Sequence, residues 1–265
     1  MPHAVHVQAT MESITHVPLV RQGPDGPRQA TDALAVEEPL ELRLDGHPIS
    51  VLMRTPGHDM ELAAGFLVTE GIVHAMSQVR KIEPRPDENR VLVFLQEEVR
   101  VDLARLTRHL FTGSSCGLCG KATVDAILTH SPPISTVPEV QDEVILSAPD
   151  RLRAAQSFFD TTGGLHAAGI FSTSGDLLVS REDIGRHNAV DKVVGRAFLD
   201  RLDLSETFLL VSGRVSFEIM QKALTARIPL VAAVSAPSSL AVEFAKESGQ
   251  GLIGFLRPPA FNRYA

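Results

Sequence analysis

Apolar and polar residues alternate with a period of two around the turn pair Asp45-Gly46. The apolar positions are Leu40, Leu42 and Leu44 before the turn and Ile49, Val51 and Met53 after it. Alternation on both sides of an Asp-Gly pair is typical of a β-hairpin, because this pair accepts the positive φ angles of a two-residue turn. The pattern therefore predicts two antiparallel strands here.

The period then becomes helical. Apolar residues recur three or four positions apart at Met60, Ala63, Ala64 and Leu67. This spacing predicts a helix, and Gly71 is placed to end it. Residues 91–95 are predicted to form a strand, and a short amphipathic segment over residues 103–110 leads into a glycine-rich stretch.

Strand and helix patterns alternate regularly in the second half of the chain. The predicted strands cover residues 167–171, 177–180, 207–211, 229–234 and 252–256, and the predicted helices cover residues 184–200, 215–227 and 238–248. A further helix is predicted to open at Ser147, in a capping-box pattern with Asp150, and to close at Gly163-Gly164. Strands alternating with helices predict a layered α/β fold with a largely parallel sheet.

The first 33 residues lack periodicity and carry several glycines, prolines and histidines, so we expect a flexible arm. The predicted organisation is therefore an arm over residues 1–33, a β-hairpin and helix subdomain over residues 34–130, and an α/β domain over residues 131–265. The chain has 265 residues, 44% of them hydrophobic and 22% charged, which is typical of a globular protein.

Charge and targeting patterns limit the function classes. A formal net charge of −7 argues against a general nucleic-acid binder. The N-terminal residues lack a basic and then apolar secretion signal, and no apolar run is long enough to span a bilayer. We therefore expect a cytoplasmic protein without a membrane or nucleic-acid partner.

Both cysteines of the chain, Cys116 and Cys119, lie in the stretch T-G-S-S-C-G-L-C-G-K over residues 112–121. In a reducing compartment such a pair favours reactive or metal-binding thiols over a structural disulfide. A dithiol redox couple, a nucleophilic sulfur carrier, a zinc site and inert packing all stay open. A second Cys-x-x-Cys or a close His pair is absent, so zinc would lack its usual four ligands. Lys121 would lower a nearby thiol pKa.

Two further groups of polar residues suggest an anion or nucleotide site. Arg186, His187 and Asn188 open a predicted helix with a dense polar face, which is either a solvated surface or a recognition element for phosphate or guanine. Ser212, Gly213 and Arg214 follow one predicted strand, and Ser235 follows the next. In a parallel sheet these junctions would present helix N-termini to an anion, although serines there are commonly plain N-caps.

Several blocks in a fixed order carry a family resemblance. They read L-M-R-T-P-G-H-D-M-E-L-A-A-G-F-L-V-T-E-G-I, S-S-C-G-L-C-G-K, G-G-L-H-A-A, E-D-I-G-R-H-N-A-V-D-K-V-V-G, S-G-R-V-S-F-E-I-M-Q-K-A, and A-V-E-F-A through L-I-G-F-L-R. Together they resemble the formate dehydrogenase accessory sulfurtransferases, the FdhD family. The resemblance covers nearly everything after residue 34.

The resemblance implies a sulfur carrier with Cys116 as the persulfide residue and Cys119 assisting or resolving it. It implies sulfur transfer from a cysteine desulfurase to the Mo-bis(molybdopterin guanine dinucleotide) cofactor, a bound substrate, before insertion into formate dehydrogenase. It also implies a homodimer with a cytidine-deaminase-like core that binds guanine nucleotides, and no permanent metal. The implied cofactor segment comprises Phe255, Leu256, Arg257, Pro258, Pro259 and Ala260.

Two other function classes are weighed against this one. A non-catalytic chaperone that only binds the cofactor would not need Cys116. A zinc-dependent nucleobase deaminase requires an H-x-E or C-x-E motif ahead of P-C-x-x-C, with the glutamate moving protons. Here His166-Ala167-Ala168 follows the cysteine pair and has alanine in place of the glutamate. The residues therefore argue against deamination.

Overall fold

The computed structural model describes residues 13–101, residue 128 and residues 131–265. Its strands are β1 (Ile14–Arg21), β2 (Arg28–Ala35), β3 (Glu38–Leu44), β4 (His47–Arg54), β5 (Val79–Arg85), β6 (Arg90–Leu95), β7 (His166–Ser172), β8 (Leu177–Asp183), β9 (Thr207–Val211), β10 (Leu230–Ala233), β11 (Gly251–Arg257) and β12 (Ala260–Arg263). Its α-helices are α1 (Asp59–Thr69), α2 (Asp142–Ala154), α3 (Ser157–Thr162), α4 (Arg186–Leu199), α5 (Phe217–Thr225) and α6 (Ser239–Ser248). The predicted segment 103–110 and the cysteine segment 112–121 lie outside the described residues.

The N-terminal residues include a β-hairpin. The sequence predicts a flexible arm over residues 1–33, and this is wrong for residues 14–33, which form β1 and most of β2 as an antiparallel pair. Ser13 ties the hairpin to the next unit, because its hydroxyl donates to the carbonyl of Pro56 at 2.9 Å. Both strands are largely exposed, so backbone pairing holds them together without the apolar stripe that sequence patterns detect. The boundary at residue 130 stays a prediction.

A four-stranded sheet in the order β4-β3-β6-β5 confirms the predicted hairpin. Its turn residues Asp45 and Gly46 have φ angles of 47° and 85°, as the Asp-Gly pair predicts. The leucines of β3 are buried, but Val51 and Met53 of β4 are 63% and 49% exposed. A bulge leaves Ile49 without a partner in β3, which turns the following residues to the opposite face.

The main sheet has six strands in the order β12-β11-β10-β9-β7-β8. Its central strands β9, β10 and β11 are parallel, whereas β7 is antiparallel to β9 and β8, and β12 is antiparallel to β11. The predicted largely parallel sheet is therefore wrong, since the sheet is mixed. The α/β class is confirmed, and the cytidine-deaminase-like arrangement stays a prediction.

Helices cover both faces of this sheet. One face carries Leu209 and Val211, which pack in a core with residues of α1, α4, α5 and α6. The opposite face carries Phe208 and Leu210, which pack with α2. The first core also contains buried residues of the four-stranded sheet, so a single apolar cluster joins the two sheets. Within the described ranges, no helix is long and apolar enough to cross a membrane.

Helix α2 begins earlier than the sequence predicts. Ser147 is predicted to open a helix, but α2 begins at Asp142 and continues through Ser147 and Pro149. The Ser147 hydroxyl donates to the carbonyl of Val144 at 2.9 Å rather than capping an N-terminus. Burial of Ile145 against the sheet explains the extension, because this residue precedes the predicted start. Gly163 does end a helix, the short α3, with a φ of 66°.

Helices α1 and α4 approach each other through two glycines. A Cβ atom on Gly65 would lie 1.7 Å from the carbonyl oxygen of Asp191, and one on Gly195 would lie 1.8 Å from the carbonyl oxygen of Glu61. Neither position has room for a side chain, because real Cβ atoms do not approach backbone atoms so closely. The pair sets the distance between the helix that packs on the small sheet and the helix that packs on the main sheet.

Candidate functional site

The carboxyl ends of the three parallel strands meet at one edge of the main sheet. The amide of Val234 donates to the carbonyl of Val211 at 3.1 Å, which joins the ends of β10 and β9. The amide of Phe255 donates to the carbonyl of Ser235 at 3.0 Å, which joins the ends of β11 and β10. The predicted junctions and the start of the predicted cofactor segment therefore lie side by side, at the edge where α/β proteins bind ligands. We call this the carboxyl edge.

Arg186 and Gly213 also meet at the carboxyl edge, together with His166. A Cβ on Gly213 would lie 3.2 Å from Nδ1 of His166 and 3.7 Å from Cδ of Arg186. Gly213 therefore leaves room for both side chains to approach the end of β9. Arg214, the next residue, is exposed. His166 is absent from the predicted site residues, and the structure adds it.

The serines at this edge serve different purposes. The hydroxyl of Ser212 accepts from the amide of Ala167 at 2.9 Å, which extends the pairing of β9 with β7 by one residue. The hydroxyl of Ser238 caps α6 by accepting from the amide of Ala241 at 3.2 Å. Ser216 precedes α5 without making a side-chain cap. Its hydroxyl instead lies 3.4 Å from Nε2 of His187.

Asn188 and Asp183 fix the start of α4 from inside the protein. Asn188 donates from Nδ2 to the carbonyl of Met53 at 2.7 Å and to Oδ1 of Asp183 at 3.0 Å. The same carboxylate accepts from the amide of Gly185 at 2.8 Å and pairs with the buried ammonium of Lys192 at 2.7 Å. These contacts hold the backbone that carries Arg186. A guanine contact from Asn188 stays a prediction, and the structure shows its amide nitrogen engaged internally.

Lys222 lies in the core behind this edge. Its ammonium donates to the hydroxyl of Thr69 at 3.1 Å and to the carboxylates of Glu70 at 3.0 Å and Asp191 at 3.1 Å. Burial opposes the charged form, but Asp191 and Glu70 outweigh it and raise the pKa of Lys222, so this side chain stays protonated. Three acceptors satisfy its three N–H groups.

The imidazole of His187 is neutral despite its polar surroundings. Burial lowers its pKa to about 3, and the positive charges of Arg186 and Lys222 act in the same direction. Its Nε2 lies 3.4 Å from the carboxylate of Glu218. In the unfolded chain the same residue takes up a proton below a pH of about 6.5. Above that pH the imidazole is neutral in both states, and His187 does not reduce the free energy of unfolding. As the pH falls from there toward 3, only the unfolded chain takes up the proton, so the free energy of unfolding decreases.

Because glutamine does not titrate, the free energy of unfolding of His187→Gln should decrease less on acidification than that of the wild-type protein. Between pH 7 and pH 5 we expect the wild-type protein to lose about 2 kcal/mol of unfolding free energy that the variant does not lose. Urea unfolding of both proteins at the two pH values measures the difference. An equal loss in both would mean that His187 takes up its proton in the folded state.

The predicted cofactor segment contains both exposed and buried residues. Phe255 is 43% exposed and has a φ of 51°, an unusual angle for an aromatic residue. Leu256 is fully buried, so its side chain belongs to the core. Arg257 donates from Nε to the carbonyl of Val234 at 3.2 Å, which ties the segment to β10. Pro258 and Pro259 lead into β12, which begins at Ala260.

The structure thus brings together Ser212, Gly213, Ser235, Arg186 and Phe255 at the carboxyl edge, and adds His166. It does not describe Cys116 or Cys119, which lie outside the described residues, so their distance from this edge stays open.

Comparison with known proteins bears on this arrangement. A model of the FdhD/NarQ family matches residues 35–265. The chain belongs to the FdhD/NarQ family. The match spans all the motif blocks quoted above, so the resemblance inferred from them is confirmed. FdhD/NarQ membership also covers the carboxyl edge and the cysteine segment, since both lie within the matched residues.

Relatives from different organisms share most of the chain. The protein named Sulfur carrier protein FdhD from Streptomyces coelicolor is 51% identical over 246 residues, covering 88% of this chain and 87% of its own. The protein of the same name from Sulfolobus acidocaldarius is 41% identical over 242 residues, covering 91% and 92%. A crystal structure from Desulfotalea psychrophila, assigned as a formate dehydrogenase accessory protein, superposes with a TM-score of 0.77 at 25% identity, covering 95% and 96%.

Proposed function

We propose that this FdhD/NarQ protein is a sulfur carrier for the maturation of formate dehydrogenase. Its match to the family over residues 35–265 carries the proposal, because the relatives of nearly equal length are named sulfur carriers. The structural neighbour assigned as a formate dehydrogenase accessory protein supports the choice of recipient. We place the protein in the cytoplasm, as a homodimer, with a cysteine desulfurase as donor.

Cys116 is the proposed carrier. Its thiolate attacks the outer sulfur of the desulfurase persulfide, a new S–S bond forms on Cys116, and the desulfurase cysteine leaves as a thiolate. This exchange requires no outside oxidant or reductant. It requires a thiol that is nucleophilic near neutral pH, and Lys121 is placed in the sequence to favour the thiolate.

Cys119 is the proposed resolving residue. Its thiolate attacks Sγ of Cys116, and the outer sulfur leaves as hydrosulfide toward the molybdenum of the cofactor substrate. The two electrons come from the thiol of Cys119, which ends in a Cys116–Cys119 disulfide that a cellular thiol then reduces. The two cysteines are separated by two residues, as in other dithiol pairs.

The carboxyl edge is the proposed binding region for the cofactor substrate. Each guanine dinucleotide arm of Mo-bis(molybdopterin guanine dinucleotide) carries a diphosphate and a purine. The N-termini of α4, α5 and α6 supply backbone amides for anions at or next to this edge, and Arg186 and Arg214 supply positive charge. The exposed ring of Phe255 offers a flat apolar surface for a base.

Intact-mass spectrometry after incubation with a cysteine desulfurase and cysteine tests the carrier role. We expect wild-type protein and Cys119→Ala to gain about one sulfur atom, roughly 32 Da, that a thiol reductant removes. Cys116→Ala serves as the matched variant and should gain none.

The same experiment separates the carrier from a cofactor-binding chaperone. A chaperone would gain no sulfur in any variant, and Cys116→Ala would still support formate dehydrogenase activity. Sulfur gain that survives in Cys116→Ala would move the carrier role to Cys119.

A further inference from the structure

A groove lies at the amino ends of the parallel strands, on the far side of the main sheet from the carboxyl edge. It is a cavity of about 360 Å³ between the ends of α1, α4 and α5 and the loop that leads into β9. Its lining residue Leu204 lies just before β9, and Arg227 lies just before β10. We call it the amino-edge groove, and its apolar walls are formed by Val68, Val194, Phe198, Leu202, Leu204 and Ala226.

Part of the apolar surface of the groove is accessible to solvent. Leu202 is 39% exposed, and the side chains of Phe198 and Leu204 are only partly buried against the main core. Apolar side chains that line one groove, rather than standing singly on a surface, mark a place where another segment packs. The groove therefore suits an apolar helix or strand face.

The chain leaves the described structure beside this groove. Val101 is the last described residue before the cysteine segment, and it packs with Val99 against the same core that forms the groove wall. Arg100, between them, lines a second cavity. His74 lines both cavities, so the second cavity adjoins the amino-edge groove.

The chain also returns at this groove. Ser131 and Pro132 are lining residues of the groove itself. Oγ of Ser131 lies 3.2 Å from Oγ1 of Thr225, and Arg227 donates from Nη1 to the carbonyl of Pro132. Both ends of the stretch between residues 101 and 131 are therefore fixed beside the same apolar surface.

Residues 103–110, near the start of that stretch, have the sequence pattern of a helix with one apolar face. Leu103, Leu106 and Leu110 recur at spacings of three and four, which places them on the same side of a helix. Arg108 is two positions from both Leu106 and Leu110, so it falls on the opposite side. A helix of this length is about 12 Å long.

We propose that residues 103–110 form a helix whose leucine face fills the amino-edge groove. The segment begins two residues after Val101, so it reaches the groove without a long connection. Burial of three leucines would stabilise the docked helix by several kcal/mol, which a helix this short needs because it is marginal on its own. This inference goes beyond the proposed function, since it concerns where the cysteine segment is anchored and holds whether or not the protein carries sulfur.

A docked helix would limit the reach of Cys116. Only residues 111–115 would connect it to the helix, and an extended chain from Leu110 to Cys116 spans at most about 22 Å. The thiol would then stay within that distance of the amino-edge groove, whereas a chain tethered only at Val101 would range much farther.

Leu106→Trp tests the occupant, because the protein has no tryptophan of its own. In the full chain we expect its fluorescence to be shifted to the blue and to be quenched only weakly by acrylamide, since the packed groove shields the indole from water and quencher. Arg108→Trp is the matched control on the opposite side of the helix and should show the emission and quenching of an exposed indole. Equal quenching of the two variants would overturn the proposal.

A groove substitution connects the buried indole to this particular surface. Leu202→Arg, added to Leu106→Trp, should shift the emission to the red and increase quenching several-fold. Leu178 on β8 provides the matched control, because it is a similarly exposed leucine on another element. Leu178→Arg should leave the emission of Leu106→Trp unchanged. If Leu202→Arg also left it unchanged, the segment would not lie in the groove.

Hydrogen exchange of the wild-type protein keeps the test valid if a tryptophan variant misfolds. The amides of residues 103–110 should exchange more slowly than those of an unstructured peptide, and Leu202→Arg should remove this protection while Leu178→Arg retains it. Unprotected amides in wild type would overturn the proposal, and protection lost on dilution would assign the groove to a second copy instead. Sulfur loading of Cys116 is measured separately by mass, so failure of the anchor and failure of the carrier role are distinguishable.

Discussion

Lys222→Met is expected to lower the free energy of unfolding by about 3–5 kcal/mol, because it leaves the buried carboxylate of Asp191 without its counter-charge. The ammonium of Lys222 lies among Asp191, Glu70 and Thr69 and is 3% exposed. Methionine keeps most of the side-chain volume, so the loss reports on charge rather than on a cavity. Urea unfolding at neutral pH measures it.

The exposed Lys246 of α6 provides the control for this substitution. Lys246→Met should change the unfolding free energy by less than about 0.5 kcal/mol. Adding Asp191→Asn to Lys222→Met should restore part of the loss, because the buried charge that lacks a partner is then removed. If Lys222→Met were as stable as Lys246→Met, water would have to reach the network of Lys222, Asp191 and Glu70.

Gly195→Ala is expected to lower the free energy of unfolding by about 3 kcal/mol or more, although alanine is the better helix former by about 1 kcal/mol. Its Cβ would lie 1.8 Å from the carbonyl oxygen of Glu61 and 2.6 Å from the amide nitrogen of Gly65. Backbone atoms cannot rotate away, so α1 and α4 would have to separate. Thermal unfolding, monitored by circular dichroism, measures this decrease in stability.

Gly23→Ala is the matched control, since an added Cβ there meets no atom within 4 Å and the residue does not need a positive φ. It should leave the free energy of unfolding within about 0.5 kcal/mol of the wild-type value. If Gly195→Ala were as stable as Gly23→Ala, the close contact between α1 and α4 would be incorrect.

Periodicity predicted the second half of the chain well because its elements are strongly patterned. The strand over residues 207–211 has the predicted bounds, and the helix of residues 238–248 begins one residue late. Sequence patterns are weaker for strands whose formation depends on pairing with segments distant in the sequence. Periodicity does not predict strands β1 and β5, since both are mostly exposed and carry no clear apolar alternation.

The direction of β7 explains why local sequence patterns do not place His166 in the site. A parallel sheet would place the start of this strand at the edge opposite the ends of β9 and β10. Because β7 runs antiparallel to β9, its first residue instead reaches the carboxyl edge, next to Gly213. The junction residues Ser212 and Ser235 were predictable from local sequence. Strand direction depends on pairing across the sheet, which local patterns do not report.

The two buried lysines have a consequence for how the protein folds. Lys222 on α5 binds Thr69 and Glu70 at the end of α1, and Lys192 on α4 binds the carbonyl of Thr55 after β4. Asp183 and Asp191 pair with these lysines from within the second half of the chain, but the remaining acceptors come from the first half. Residues 34–101 and 131–265 should therefore melt in one cooperative transition, and neither would persist as an isolated fragment. A nucleotide bound at the carboxyl edge would then protect the distant four-stranded sheet from hydrogen exchange.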